Sequence, residues 1–483
     1  MIVYRKGRCR RVQKINGIEE LRGVKCDVLG MGKSNLPLID ILIGAGALVT
    51  VRDKKTRDAF GGICDILEQK GVSFILGERY LDGIDTPVIF RSPGIRPDAG
   101  SIPEAVKNGA LLSSEMELFV SLTKADILAI TGSDGKTTTT TLTHLFMKSM
   151  TERYARGRAY VGGNIGTPLL SKCAEMSEKD TAVIELSSFQ LMTMDFSALR
   201  AAITNITPNH LNWHTDMEEY IAAKRKISVG AGLLVLNADN SVTADIARER
   251  GKDMVLFSSS KSSYEDIVSP SMENTFAIFA RGDDIIYSDG RSEKLLLKIS
   301  DIKLPGKHNI ENYMTAIALT YGLVDTDIYT EIARSFGGVE HRLELVRELD
   351  GVKYYNSSID STPTRTAAAL TAVSGSKVVI CGGYDKNISF EPLARSLCES
   401  AKCAVLTGAT AKKIKDAILG CKKYSPEKLL IIERTDFAEA VTTAHDAACA
   451  GDSVILSPAC ASFDAFADFE ERGRFFKKLV NEL

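Results

Sequence analysis

Charge of one sign is missing from this sequence. Its 483 residues carry 60 Lys and Arg against 62 Asp and Glu, a formal net charge of −2, so no electrostatic argument favours nucleic acid or an anionic membrane as partner. Long apolar runs are missing too. The longest, residues 36–51, is broken by Pro37, Asp40 and the small-residue run 44–47 and is too short to span a bilayer. The segment 4–13 is basic, but no apolar stretch follows it, so a secretory signal is not expected. Ten cysteines are scattered without one Cys-x-x-Cys pair. In so large a chain they read as reduced thiols of a cytoplasmic protein, most of them small buried hydrophobes. Internal repeats and low-complexity tracts are absent as well. What remains is a soluble chain whose length predicts roughly three domains.

What is present is most informative at residues 127–139, Ile-Leu-Ala-Ile-Thr-Gly-Ser-Asp-Gly-Lys-Thr-Thr-Thr. A short apolar strand leads into a glycine loop and then the Lys-Thr opening of a helix. That order builds a phosphate cradle: loop amides and the helix N-terminus face an anion, Lys136 adds a point charge, and the Thr137 hydroxyl can reach a metal ion. The full eight-position phosphate loop would place its first glycine at Ile130, so the match is Gly132-x-x-Gly135-Lys136-Thr137. Such triplets are often mere turns into helices. The strand before this one and the apolar residues Leu142, Leu145 and Phe146 after it favour an ATP site over Gly132, Ser133, Asp134, Gly135, Lys136, Thr137 and Thr138.

Apolar strands alternate with helical patterns almost throughout, which predicts α/β layers on mainly parallel sheets. Three regions follow: 1–123, 124–339 and 340–483. The first holds a strand, the turn Gly30-Met-Gly32 and a second strand ending at Asp53, then the turn Ser92-Pro93-Gly94 after another strand. This resembles half of a dinucleotide fold, with Asn35 at the third glycine position; packing explains such a turn equally well. In the middle region Glu185 ends an apolar strand, where parallel sheets place ligands. An acid there suits the Mg²⁺ of a bound nucleotide, although helix caps also end strands in acids. The loop after the next strand carries His210 and His214, two of only six histidines, and a helix with Lys224 follows. A histidine there is a candidate metal ligand or phosphate partner, and the ordinary alternative is a structural one.

Taken in order, the motifs become specific. They are Thr131-Gly-Ser-Asp-Gly-Lys-Thr-Thr-Thr, Gly163-Asn-Ile-Gly-Thr-Pro168, Glu185-Leu-Ser-Ser-Phe-Gln-Leu191, Asn209-His210, Tyr220-Ile-Ala-Ala-Lys224, Gly306-Lys-His-Asn309, Glu340-His-Arg342 and Leu456-Ser-Pro-Ala-Cys-Ala-Ser-Phe-Asp464. This series resembles the Mur ligases of peptidoglycan synthesis from Gly30 to Phe476, and the third and last motifs look like the D-glutamate-adding branch. The resemblance implies three domains: a Rossmann-like domain for a UDP-linked substrate, a central phosphate-loop ATPase domain and a C-terminal Rossmann-like domain. It implies ATP-dependent joining of D-glutamate to UDP-N-acetylmuramoyl-L-alanine (UDP-MurNAc-L-Ala) through an acyl phosphate, in the cytoplasm, by a monomer. It also implies hinges near Thr123 and Val339.

Residue by residue, the resemblance makes Lys136, His210 and Lys224 catalytic. Thr137 and Glu185 would hold one Mg²⁺, and His210 and Lys224 a second, the lysine as its carbamate. Asn309 and Arg342 would contact the nucleotide, and Asn164 the muramoyl substrate. Gly30, Gly32, Asp53, Ser92, Pro93 and Gly94 would hold the UDP portion, and Lys386, Ser462, Phe463 and Phe469 the D-glutamate. One departure stands out. Many members carry Asn-Asp-Ser-Lys where this chain reads Asn356-Ser357-Ser358-Ile359-Asp360, so Ser357 and Ile359 replace an acid and a lysine, and Asp360 is the nearest substitute acid. Competing readings are another amide ligase of this architecture, such as a folylpolyglutamate synthase, and a phosphate-loop kinase or nucleotide switch.

Overall fold

The computed structural model describes residues 14–483 except Lys33, Phe196, Asn212, Pro305 and Asn387; the basic segment 4–13 lies outside the described residues. Three sheets account for the alternating apolar runs. The first contains β1 (Lys25–Leu29), β2 (Leu48–Asp53), β3 (Ser73–Leu76), β4 (Val88–Arg91) and β5 (Leu111–Ser113). It is wholly parallel in the order β3-β2-β1-β4-β5. The chain winds outward from β1 and then crosses back to β4, so the order reverses between β1 and β4. That reversal opens a crevice beyond the strand ends, where ligands of such sheets bind.

The second sheet has nine strands: β6 (Asp126–Thr131), β7 (Ala159–Gly163), β8 (Thr181–Glu185), β9 (Ala198–Ile203), β10 (Ala231–Asn237), β11 (Lys252–Ser258), β12 (Glu273–Arg281), β13 (Asp284–Ser288) and β14 (Glu293–Lys298). Their order is β14-β13-β12-β11-β10-β9-β6-β8-β7, with the last three in sequence antiparallel. Three neighbours, β9, β6 and β8, run parallel, so the loops leaving them emerge side by side. The third sheet has β15 (Glu344–Leu349), β16 (Val352–Asn356), β17 (Lys377–Gly382), β18 (Cys403–Thr407), β19 (Leu430–Glu433) and β20 (Ser453–Leu456), in the order β15-β16-β20-β17-β18-β19. Alternate residues are buried on opposite faces: Val378, Ile380 and Val454 in one core, Val379, Cys381 and Ile455 in the other. Helices covering both faces make these strands read as unbroken apolar runs.

The chain divides into two compact units, one ending at Arg334 and one beginning at Ser335. The first two sheets share the first unit because their cores are continuous. The helix Glu115–Leu122, capped by Ser114 accepting from the Glu117 amide, buries Met116, Leu118 and Phe119 in the same cluster as Ala129, Leu169, Leu170 and Ile184. The fold is therefore α/β throughout, and no helix among the described residues is long and apolar enough to cross a membrane. Phe119 is wholly buried where the two sheets share this core. Phe119→Ala should cost about 3–5 kcal/mol, read as a lowered denaturation midpoint of the first unit.

Candidate active site

The loop after β6 folds as a phosphate cradle because two glycines sit where no side chain fits. A Cβ on Gly132 would lie 1.8 Å from the Thr204 hydroxyl, and one on Gly135 would lie 2.2 Å from Asn312 Oδ1. Gly135 is left-handed (φ 77°) and starts the helix Lys136–Tyr154, which no side chain caps. Its first amides are thus left for an anion. The loop is pinned from β9: Ser133 N donates to Asn205 O (2.9 Å), Asp134 N to Asn205 Oδ1 (2.9 Å), and Thr204 Oγ1 to Asp134 O (2.6 Å). Lys136 Nζ donates to Ser133 O at 2.9 Å, folding over its own loop. On the helix Lys307–Thr320, Asn309 is buried, and its Oδ1 accepts from Asn312 Nδ2 at 3.2 Å. Asn312 Oδ1 in turn accepts from Thr139 at 3.4 Å. Asn312 therefore braces the expected nucleotide contact against the loop.

Beside the cradle, Glu185 ends β8 almost fully buried. One of its oxygens accepts from Asn164 Nδ2 at 2.8 Å; the other, Oε2, has no partner. A buried carboxylate oxygen without a donor is costly, and it suits a hard divalent cation with oxygen ligands. Thr137, next to Lys136 on the following helix, adds a hydroxyl of the same kind. Lys224 is 2 % exposed. Its amine donates to Gly132 O (2.7 Å) and Thr131 Oγ1 (3.4 Å) and lies 4.8 Å from the Tyr220 ring. Burial, reinforced by the nearby Lys136 charge, holds its pKa well below that of a free lysine, which favours the neutral amine.

The two histidines of the loop after β9 differ. His214 is locked: Nδ1 pairs with Glu219 at 3.0 Å and Nε2 with Ser188 Oγ at 2.9 Å. Burial lowers its pKa, and both ring nitrogens are already engaged within the fold. His210 is exposed and left-handed (φ 55°), edge-on to Phe189 at 5.1 Å. In the first sheet, Gly30 N donates to Arg52 O (2.7 Å) and Met31 N to Asp53 Oδ2 (2.7 Å). Ser92 N donates to Leu29 O (2.9 Å). Gly30, Gly32, Asp53 and the turn 92–94 thus meet at the β1/β4 crevice.

In the second unit the loops leaving β16, β20 and β17 gather Ser357, Asp360, Lys386 and Ser462. Asp360 is buried and accepts from Ser457 Oγ at 2.9 Å. Burial raises its pKa, and the bond from Ser457 ties one loop to another. Ile359 N donates to His341 O. Lys386 Nζ donates to Ser361 O at 3.3 Å. Ser462 is buried and Phe463 is exposed, its ring 6.1 Å from Tyr384, while Phe469 O accepts from Ser358 Oγ at 2.7 Å. Arg472, which carried no signal in the sequence, is buried and donates to Ser358 O, Cys460 O and Ala461 O at 2.9–3.1 Å. Arg342 belongs to this unit, its amide donating to Val339 O at 3.0 Å. Glu340, His341 and Glu344 bring metal-ligand atoms together, but the Lys477 ammonium already reaches both carboxylates, at 3.1 and 2.5 Å.

Comparison with known proteins shows which family the chain belongs to. A family model described as the Mur ligase middle domain matches residues 130–320, and one described as the Mur ligase glutamate ligase domain matches residues 341–460. The chain is 44% identical to a UDP-N-acetylmuramoylalanine--D-glutamate ligase of Clostridium novyi, covering 96% of this chain and 98% of that one. A relative of the same description from Ruminiclostridium cellulolyticum is 44% identical, with the same coverage. Among solved structures, a pseudomurein peptide ligase type C from Methanothermus fervidus is similar in fold, with TM-score 0.50 and 18% identity over 95% of this chain and 99% of that one.

The close approach at Gly132 yields a direct test. Gly132→Ala must push the loop off Thr204. Overpacking of that kind costs about 1–3 kcal/mol, so ATP affinity should fall about tenfold to a hundredfold. Calorimetric titration of the folded variant with Mg²⁺·ATP checks this.

Proposed function

Because the chain belongs to the Mur ligase family, we infer that it catalyses the ATP-dependent joining of D-glutamate to UDP-MurNAc-L-Ala, giving UDP-MurNAc-L-Ala-D-Glu, ADP and phosphate. The observation that carries this reading is the gathering, at the ends of β9, β6 and β8, of a phosphate loop, a buried carboxylate with an unpaired oxygen and a buried lysine. Joining a carboxylate to an amine is uphill in water, so the acid must first be activated. Its oxygen attacks the γ-phosphorus of ATP and the bond to ADP breaks. The D-glutamate amine then attacks the acyl carbon, loses a proton, and phosphate leaves. Lys136 and the start of its helix hold the γ-phosphoryl charge as it transfers.

The residue roles proposed here are those the family resemblance implies. Gly132, Ser133, Asp134, Gly135, Thr137, Thr138, Asn309 and Arg342 bind the nucleotide. Thr137 and Glu185 hold one Mg²⁺, and His210 with Lys224 holds a second. When bound, these ions neutralise phosphate charge and orient the γ-phosphoryl group. The β1/β4 crevice, with Gly30, Gly32, Asp53 and Ser92 to Gly94, takes the UDP end, and Asn164 the muramoyl portion. Lys386, Ser462, Phe463 and Phe469 take D-glutamate. The functional divisions are 1–123, 124–339 and 340–483, and the enzyme acts as a cytoplasmic monomer.

The amino-acid choice is tested by a panel of amino acids with UDP-MurNAc-L-Ala, ATP and Mg²⁺, read by phosphate release. D-Glutamate should support turnover, and L-glutamate and L-alanine should fall at least about a hundredfold below it, since a mirror-image ligand leaves polar groups of the site unpaired. Equal use of L-glutamate would move the reaction to a different amide ligase.

Lys224 is assigned as a carbamate on its burial and on contacts with neutral oxygens instead of a carboxylate. A neutral amine nitrogen adds to the carbon of CO₂ and releases a proton, turning a would-be cation into an anion that attracts Mg²⁺. Activity should fall in CO₂-depleted buffer and return with bicarbonate. Lys224→Arg, which keeps positive charge but cannot form a carbamate, should be severely impaired; wild-type turnover in that variant would remove the role.

A further inference from the structure

Two arginines tie the first-sheet turn to both segments that carry the expected metal ligands. Arg91 is buried at the end of β4, and the turn folds around it: Nη1 donates to Pro93 O (3.1 Å) and Ile95 O (2.5 Å). Its Nη2 reaches the short helix just after Glu185, donating to Phe189 O (2.8 Å) and Thr193 Oγ1 (3.2 Å). Arg96, five residues on, grips the His210 loop. It donates to Trp213 O (2.7 Å) and pairs with Glu219 (2.9 Å), and its guanidinium lies 5.0 Å from the Trp213 ring. Trp213 returns the contact, Nε1 donating to Gly94 O at 3.3 Å. The same residue closes a turn on the candidate ligand, its amide donating to His210 O at 3.0 Å. Phe189 packs against His210, Trp213 and His214 with ring separations of 5.1, 4.4 and 5.5 Å, so the two segments form one aromatic cluster.

Such a cluster would move as a piece. His210 sits in the left-handed region (φ 55°), uncommon for residues other than glycine, and Arg96 is one of the contacts that pin its loop. We propose that Arg96 is a positioning residue that couples the UDP-substrate turn to the His210 loop, so that UDP-MurNAc-L-Ala and Mg²⁺·nucleotide each tighten the binding of the other. This rests on the site assignments under the proposed function. Coupling of this kind is reciprocal by thermodynamic necessity.

The test measures linkage in place of turnover. Calorimetry gives the Kd of the Mg²⁺ complex of a non-hydrolysable ATP analogue, with and without saturating UDP-MurNAc-L-Ala. The wild type should show a coupling factor of about five or more. Trp213, the chain's one tryptophan, should change its fluorescence when UDP-MurNAc-L-Ala binds. In folded Arg96→Ala the coupling factor should drop to about one and the fluorescence response should shrink; Arg96→Lys, which keeps a charge for Glu219, should recover part of both. Trp213→Phe, which loses the Gly94 bond but keeps a ring, should weaken the coupling in the same calorimetric assay and guards against a poorly folded Arg96→Ala. A merely structural Arg96 would lower thermal stability and leave the factor unchanged. Binding of both ligands with full coupling in Arg96→Ala overturns this proposal alone. Failure of UDP-MurNAc-L-Ala to bind the wild type would overturn the site assignments and the proposal together.

Discussion

The site depends on how closely the backbone of the phosphate loop can lie on the end of β9. A Cβ at residue 132 would stand 1.8 Å from the Thr204 hydroxyl, so only glycine allows the loop to rest there. Once it does, Thr204, Asn205 and Thr207 tie it down through Ser133 and Asp134. Gly135 then turns the chain into the helix Lys136–Tyr154, whose start no side chain caps. Glu185 and Lys224 come close because β8 and the helix Met217–Arg225 bring them to the same edge. Shift the loop outward and the buried amine of Lys224 loses the carbonyl of Gly132.

Burial is the second constraint. Two charged side chains, Glu185 and Lys224, lie almost out of solvent near Lys136. Neither forms an ion pair with the other in the arrangement described. A carboxylate with one idle oxygen and an amine pushed toward neutrality are unstable companions in a protein that binds nothing. Each fits one of the two separate metal sites proposed above. The buried Asp360 shows the contrast. Its Oδ2 already accepts from Ser457, a bond that holds two loops together.

Much of this was legible in the residues. The phosphate loop announces itself through Gly132, Gly135 and Lys136, because glycines and a lysine at those spacings have a steric and electrostatic reason. Glu185 and Asp53 could be placed at strand ends from apolar runs alone. What stayed hidden were partners that act across long sequence separations. Arg96, Trp213 and Glu219 meet over more than a hundred residues, and no local pattern marks them. Arg472 looks like an ordinary helix arginine until its guanidinium is found gathering three carbonyls. Asn312 had a fainter signal, three residues beyond Asn309 on one helix face. His214 was half-readable: the loop position was evident, but the bonds to Ser188 and Glu219 that consume both ring nitrogens were not.

The continuity of the core past Thr123 has a bearing on how such chains can be recombined. Met116, Leu118 and Phe119 lie in one apolar cluster with residues of the second sheet, so a splice at that point would pair half a core with a foreign half. Repacking would then have to be found for both at once. A splice between Arg334 and Ser335, where the compact units divide, leaves that shared cluster whole. The N-terminal sheet must therefore be exchanged together with the sheet that carries the phosphate loop, because the two share one interior.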